Sequence, residues 1–317
     1  MTTAGALSSG GFTLAIVGCG KRGFIEHRGL TWKLGTAVLQ GLLVSPAPAQ
    51  ESQHTLQRIL VSVRVREKGQ RVLDKVLGDS NPHDRPCLVE LVVGDNAEAA
   101  RRADVVVLAC HPHQGREVLG VPGMPEALGG KLLVSMLGGV SVTALEDSLY
   151  WAKSAGRAVT GPGRCHIVQA IPNVAAARGS STTVVGERSD SIPDEVLERG
   201  HEVLRRIGQS VFVGRDEMPA ATALCASGTA LFVWFLGAMV DASVAEGIDK
   251  DEATRMAALT MAGAAGLVAS GETPGAVIAK VTTPGGATAR GLIVLEQSTA
   301  KEAIAEALRA ITSKIRS

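Results

Sequence analysis

The residues best suited to chemistry lie in Val281–Gly291, which reads VTTPGGATARG. Thr283-Pro284 ends one helix, and Thr288 stands at the start of the next. Between them Gly285 and Gly286 present backbone N–H groups with no side chain in the way, and such a nest binds a carboxylate. A plain corner between helices needs fewer glycines. A second candidate is Phe12–Gly23, FTLAIVGCGKRG, in which an apolar strand-forming run breaks into Gly18-x-Gly20-x-x-Gly23. A strand ending in such a turn, followed by a helix, holds a pyrophosphate against backbone N–H groups. With 37 glycines in the chain the spacing is weak evidence alone.

The helix in that context arrives late. LGTAVLQGLL carries an apolar stripe of Leu34, Val38 and Leu42, with Leu39 and Leu43 beside it. If Arg22–Lys33 were absent, the chain would read GCGKLGTAVLQGLL, and Gly35 would complete the fingerprint directly on the helix. Gly23 and Gly35 therefore both stand as the third glycine. At the end of the second strand, VSVRVRE places Arg64 and Arg66 where a domain specific for NAD would carry an acidic residue, and arginine favours the 2′-phosphate of NADP. Glu67 follows closely.

In an open parallel sheet the ligand sits beyond the carboxyl ends of the strands, where three loops fall: CHPHQ (Cys110–Gln114), MLGGVS (Met136–Ser141) and IPNVAA (Ile171–Ala176). His111 and His113 lack carboxylate support, so they read as residues lining a cofactor or the surface rather than as an acid–base or metal pair. Pro112 and Pro172 stiffen two of these loops, and Asn173 offers an amide. No paired carboxylates, no Ser/His/Asp arrangement and no metal-ligand spacing stand out. The five cysteines, Cys19, Cys87, Cys110, Cys165 and Cys225, are scattered and read as reduced core residues of an intracellular chain.

Positioning these groups requires two kinds of architecture. Up to Gly214, continuous apolar strands alternate with helices: Arg58–Val63, Leu88–Val93, Val105–Cys110, Lys131–Leu137, HIVQAI, TTVV and SVFV are strands. Lys68–Leu77, Asp95–Ala103, Ser141–Leu149 and Pro193–Ile207 are helices. That grammar predicts a parallel sheet covered on both faces. After Gly214 only helices follow, over Ala220–Glu246, Lys250–Ser270, Thr288–Glu296 and Ala300–Ile315. The fold class is α/β, a Rossmann-type domain at 1–214 followed by an all-α domain at 215–317. The late helices are so apolar around their circumference that one small domain would leave much of them wet, whereas a helical homodimer would bury them.

At 317 residues, with 45% hydrophobic and 20% charged residues, the chain has the balance of a globular protein of two domains. Its net charge of +1 implies neither nucleic acid nor anionic membrane as a partner. Pro219–Val240 lacks charge and is long enough to span a bilayer, but it has no basic flank and reads as a buried helix. The N-terminus has no targeting pattern, so a cytoplasmic location is expected.

On the glycine turn, VVLACHPHQ, IPNVAAARG, TALCASGTALF and above all TTPGGATARGLIVLE, the chain resembles the pyrroline-5-carboxylate reductases over nearly its whole length. The resemblance implies a Rossmann domain with a helical dimerisation and substrate domain, NADPH as cofactor with NADH as the alternative, no metal, and a cyclic imine reduced to proline or a proline analogue. It further implies that Thr288 hydrogen-bonds the imine nitrogen and that the backbone from Pro284 through Gly285, Gly286 and Ala287 to Thr288 holds the carboxylate. Asn173 and the loop at His111 and Pro112 would face the nicotinamide. The chain departs from the family pattern in His111 for lysine, Gln169 for arginine, CASGT for SGSGP, and the Arg22–Lys33 stretch. These departures motivate a second reading, a cofactor-binding dimer of the same fold that has lost catalysis. A 3-hydroxyacid dehydrogenase would need a lysine on the long interdomain helix, and Pro219–Val240 contains none.

Overall fold

The computed structural model describes residues 10–18, 33–44, 54–78, 86–152, 157–158, 163–186 and 191–316. Cys19, Gly20, Gly23 and all of the Arg22–Lys33 stretch except Lys33 lie outside the described residues. Contacts divide the chain into two units, Met1–Ala226 with Ile315–Ser317, and Ser227–Lys314.

The first unit runs β1 (Gly11–Val17), α1 (Lys33–Val44), β2 (Thr55–Val63), α2 (Arg66–Leu77), β3 (Leu88–Val93), α3 (Asn96–Arg102), β4 (Val105–Leu108), α4 (Gly115–Leu119), α5 (Met124–Ala127), β5 (Leu132–Ser135) and α6 (Val142–Tyr150). It continues through β6 (Trp151–Ala152), β7 (Arg157–Ala158), β8 (His166–Ile171), β9 (Ser181–Val185), α7 (Asp194–Ile207), β10 (Gly208–Phe212) and α8 (Met218–Thr222). One eight-stranded sheet has the order β10-β9-β8-β5-β4-β1-β2-β3, and β6 pairs with β7 as a separate small ribbon.

The continuous apolar strands follow from burial on both faces. Phe12, Leu14 and Ile16 of β1 enter one core layer with Val38, Leu39 and Leu42 of α1, while Ala15 and Val17 enter the opposite layer with Ala99 and Ala100 of α3. Val105 and Val107 of β4 face the first layer, and Val106 and Leu108 face the second. Each such Leu, Ile or Val contributes about 1.5–3 kcal/mol by leaving water. The layers therefore fix the register Ile16↔Val107 and Val17↔Leu108 that sets the end of β1 beside the end of β4.

The sheet is not wholly parallel as the sequence predicts. β8 and β9 are antiparallel, and β10 then runs parallel to β9. The cause is chain length: only residues 172–180 join β8 to β9, and a parallel crossover needs a dozen residues or more. β9 and β10 are joined through α7, which is long enough for one. The second helix begins at Arg66 rather than Lys68, so Arg66 is a helix-start residue and only Arg64 lies in the turn after β2.

The second unit holds α9 (Gly228–Ala245), α10 (Lys250–Ala269), α11 (Pro274–Val281), α12 (Ala287–Glu296) and most of α13 (Ala300–Arg316). One π turn, Ala223–Ser227, links α8 to α9. Met218–Ala245 is the one helical stretch among the described residues that is long and apolar enough to cross a membrane by length and composition. Within the single chain this stretch is largely uncovered, with Trp234 74% exposed and Phe232 and Val233 each 60%, as expected of helices too apolar for one small domain to cover. Among the described residues of this unit only Gly228, Val240 and Ala253 are buried. α10 covers one side of α9, and an apolar helix without a polar face needs cover all round.

Candidate functional site

Gly18 closes β1 at φ +93°, a conformation open to glycine at little cost. A Cβ added there would lie 2.4 Å from the Cβ of Cys110, so this glycine also permits the approach of the segment that follows β4. Ala109 N donates to Val17 O at 3.0 Å and carries the β1–β4 pairing up to that point. In the order β5-β4-β1-β2-β3 the strands reverse direction of succession between β4 and β1, which is where an α/β sheet opens its ligand crevice. Gly35 is buried in the first turn of α1. Next to it the buried Thr36 Oγ1 has no hydrogen-bond partner among the described residues. A glycine of positive φ at the switch point and an orphaned hydroxyl at the start of the next described helix fit a dinucleotide pyrophosphate.

Arg64 follows β2 and pairs with Glu117 of α4, Nη2 to Oε1 2.7 Å. Arg66 is exposed and forms no ion pair among the described residues. His111 precedes a 3-10 turn, Pro112–Gln114, whose Gln114 N donates to His111 O at 2.8 Å. The His111 and His113 rings lie 4.3 Å apart between centroids. Partial desolvation, followed by the neighbouring His113, lowers the His111 pKa below the usual histidine value, which leaves its imidazole neutral near pH 7. The group suits stacking or hydrogen bonding better than charge pairing.

Asn173 is 9% exposed and caps the 3-10 turn Val174–Arg178. Its Oδ1 accepts from Ala175 N at 3.0 Å, its Nδ2 donates to Cys225 O at 2.9 Å, and its backbone N donates to Ser181 Oγ at 3.0 Å. The side chain thus fastens the end of β8 to the π turn. One amide hydrogen remains for a ligand.

In the other unit Gly286 N donates to Thr283 O at 2.9 Å, with Pro284 and Gly285 between them and Gly285 at φ +74°. Proline followed by a glycine of positive φ is the signature of a type II turn. The turn opens α12, whose N-cap is Gly286 with no side-chain cap, whereas α10 is capped by Asp249 and α11 by Thr273. The first N–H groups of α12 therefore lack both an intrahelical acceptor and a side-chain one. Ala287 and Thr288 are exposed on this first turn. A Cβ at Gly286 would meet Thr283 Oγ1 at 2.4 Å and Thr283 O at 3.1 Å, so any side chain there would force Thr283 to shift.

Residues 215–317 match the family model described as pyrroline-5-carboxylate reductase dimerisation, and residues 13–139 match the model described as NADP oxidoreductase coenzyme F420-dependent. The chain is 46% identical over 311 residues to the pyrroline-5-carboxylate reductase ucsG of an Acremonium species, covering 96% of this chain and 93% of that one. This chain belongs to the pyrroline-5-carboxylate reductase family. It is 35% identical to the pyrroline-5-carboxylate reductase of Neurospora crassa, covering 96% and 92% of the two chains.

Membership makes this chain a pyrroline-5-carboxylate reductase-like oxidoreductase. Its fold is that of the Coxiella burnetii pyrroline-5-carboxylate reductase (TM-score 0.72, 23% identity, 96% and 97% of the two chains). It is equally that of the Plasmodium falciparum pyrroline carboxylate reductase solved with NADP bound (TM-score 0.70, 20% identity, 96% and 97%). One residue of this reductase-family chain escaped the sequence reading. Glu117 sits on a helix of five residues, too short to leave a periodic signal. Gln169 donates through Nε2 to Val140 O at 3.0 Å and holds the loop after β5.

Proposed function

We propose that this protein reduces a cyclic imino acid, 1-pyrroline-5-carboxylate or a substituted pyrroline carboxylate, to proline or a proline analogue, with NADPH preferred over NADH. Residues 1–214 form the dinucleotide-binding domain, and residues 215–317 form the helical dimerisation and substrate domain of a homodimer. The exposed apolar helices of the single chain support that assembly. The described cysteines, Cys87, Cys110, Cys165 and Cys225, are free, which agrees with a reducing cytoplasm.

The observation that carries the reading is the uncapped start of α12 behind its type II turn. The backbone from Pro284 to Thr288 presents N–H groups to the substrate carboxylate, and the Thr288 hydroxyl orients the ring nitrogen and passes its proton. The bound nicotinamide supplies the hydride. Gly18, Gly20 and either Gly23 or Gly35 would hold the pyrophosphate, Arg64 or Arg66 the 2′-phosphate, and His111, Pro112 and Asn173 the nicotinamide end. A protonated imine is already an electrophile. The protein therefore has to orient it and steady its charge, and needs no paired acid and base.

Initial rates of NADPH oxidation with pyrroline-5-carboxylate and with methylated pyrroline carboxylates test the assignment. Thr288→Ala is expected to lower kcat by about ten- to a hundredfold, roughly 1.4–2.7 kcal/mol, with cofactor affinity unchanged and with Thr288→Ser retaining most of the rate. An Ala variant as fast as wild type would reduce Thr288 to a helix start. Cofactor binding with no turnover on any of these imines would mark instead a dimer of this fold that has lost catalysis.

A further inference from the structure

Arg64 is already engaged. Its Nη2 lies 2.7 Å from Glu117 Oε1, with the two side chains 30% and 47% exposed. The contact joins positions 53 residues apart, one just after β2 and the other on α4, which follows β4. Since β4 and β2 flank β1 on its two sides, the pair reaches across the carboxyl end of β1, a span of about 9–10 Å. Gly18 ends that strand against Cys110. Burial pushes the Cys110 thiol up to about 11, with Arg64 lowering it and Glu117 raising it, so both charges act at the same spot.

An ion pair this exposed is held weakly and exchanges readily. A 2′-phosphate carries nearly two negative charges and three acceptor oxygens, so it competes well with one carboxylate for a guanidinium. A 2′-hydroxyl offers a proton instead, and a carboxylate is its natural acceptor. Resting on the assignment of Arg64 to the adenosine ribose, we infer that Glu117 determines cofactor specificity. It restrains Arg64 in the free protein, accepts the 2′-hydroxyl of an unphosphorylated dinucleotide, and opposes a 2′-phosphate. The arginine and the carboxylate form one subsite that takes both dinucleotides, with a narrower preference for NADPH than the arginine alone would produce.

Calorimetric titration of the full-length protein with NADP+, NAD+, adenosine 2′,5′-bisphosphate and 5′-AMP tests this without turnover. Glu117→Gln is expected to tighten the two 2′-phosphorylated ligands by about fivefold and to weaken NAD+ by about two- to fivefold, the scale of an exposed charge contact. Arg64→Ala is expected to weaken the 2′-phosphorylated ligands by about tenfold or more and to leave 5′-AMP within about twofold. An NADP+ to NAD+ affinity ratio that Glu117→Gln leaves unchanged, or moves toward NAD+, overturns the proposal while the cofactor reading stands. Wild-type protein that binds neither dinucleotide overturns both together. Glu117 is exposed, and melting curves of each variant check that the fold is retained.

Discussion

The sheet unit and the helical unit are both rich in apolar residues, yet they differ in what they cover by themselves. In the sheet unit each strand sends alternate residues into two layers, and Leu14, Ile16, Leu60 and Leu108 are sealed from solvent by helices of the same chain. In the helical unit the large side chains of α9 and α10 stay in water, among them Phe232, Trp234, Met256 and Leu259. Hydrophobic content alone therefore does not make a core. What matters is whether the chain brings a second surface to each apolar face, and α9, apolar all round, would need several. A surface of this kind is normally covered by another molecule.

The sharpest way to break the contrast is to charge the helical surface. Trp234→Asp is expected to split the proposed homodimer, because a large aromatic buried in such an interface carries about 2–4 kcal/mol of association. Sedimentation velocity at micromolar protein reads the loss directly. A variant that sediments like wild type would show that this face is not covered by a second copy. A second, smaller test pairs one truncation in each unit. Leu14→Ala should cost about 2–5 kcal/mol in urea unfolding at any protein concentration. Leu259→Ala, at a side chain 63% exposed in the single chain, should cost about 1–3 kcal/mol and only where the dimer is populated. An effect below about 0.5 kcal/mol at every concentration would make Leu259 ordinary surface.

The same contrast explains what could be read from the residues alone. The β1, β4 and β5 runs were legible because burial on both faces leaves no polar interruption in a strand. The reversal of β9 was not, since apolar content carries no direction; the short link after β8 carried that information. α4 was missed because HPHQGREVL has one turn of helix and no period to count. The Arg64–Glu117 pair was invisible for another reason, as pairing across 53 residues follows from strand order and not from local pattern. At the Thr288 turn, Pro284, Gly285 and the helix start were legible, since proline and glycine dictate the turn type. The missing side-chain cap of α12 was readable too, as Gly286 has no side chain to offer.

The smallest expected effects separate the two glycine turns, one in each unit. Both Gly18 and Gly285 have positive φ, at +93° and +74°, so an alanine at either is strained by about 1–2 kcal/mol. At Gly18 the new methyl would also press on the Cβ and backbone of Cys110 at 2.4–2.9 Å, whereas at Gly285 it would meet nothing within 4 Å. Gly18→Ala must therefore move the β1–β4 edge where the proposal puts the dinucleotide, and should raise the NADP+ dissociation constant by about tenfold or more. Gly285→Ala keeps its surroundings and disturbs only the turn that aims the α12 N–H groups. It should raise KM for the imine by about three- to tenfold, the scale of that strain partly relaxed, with NADP+ affinity unchanged. Fluorescence titration of cofactor and steady-state kinetics on the same two variants give both readouts. If Gly285→Ala weakens the cofactor as much as Gly18→Ala does, the division of labour between a dinucleotide turn and a carboxylate turn is wrong.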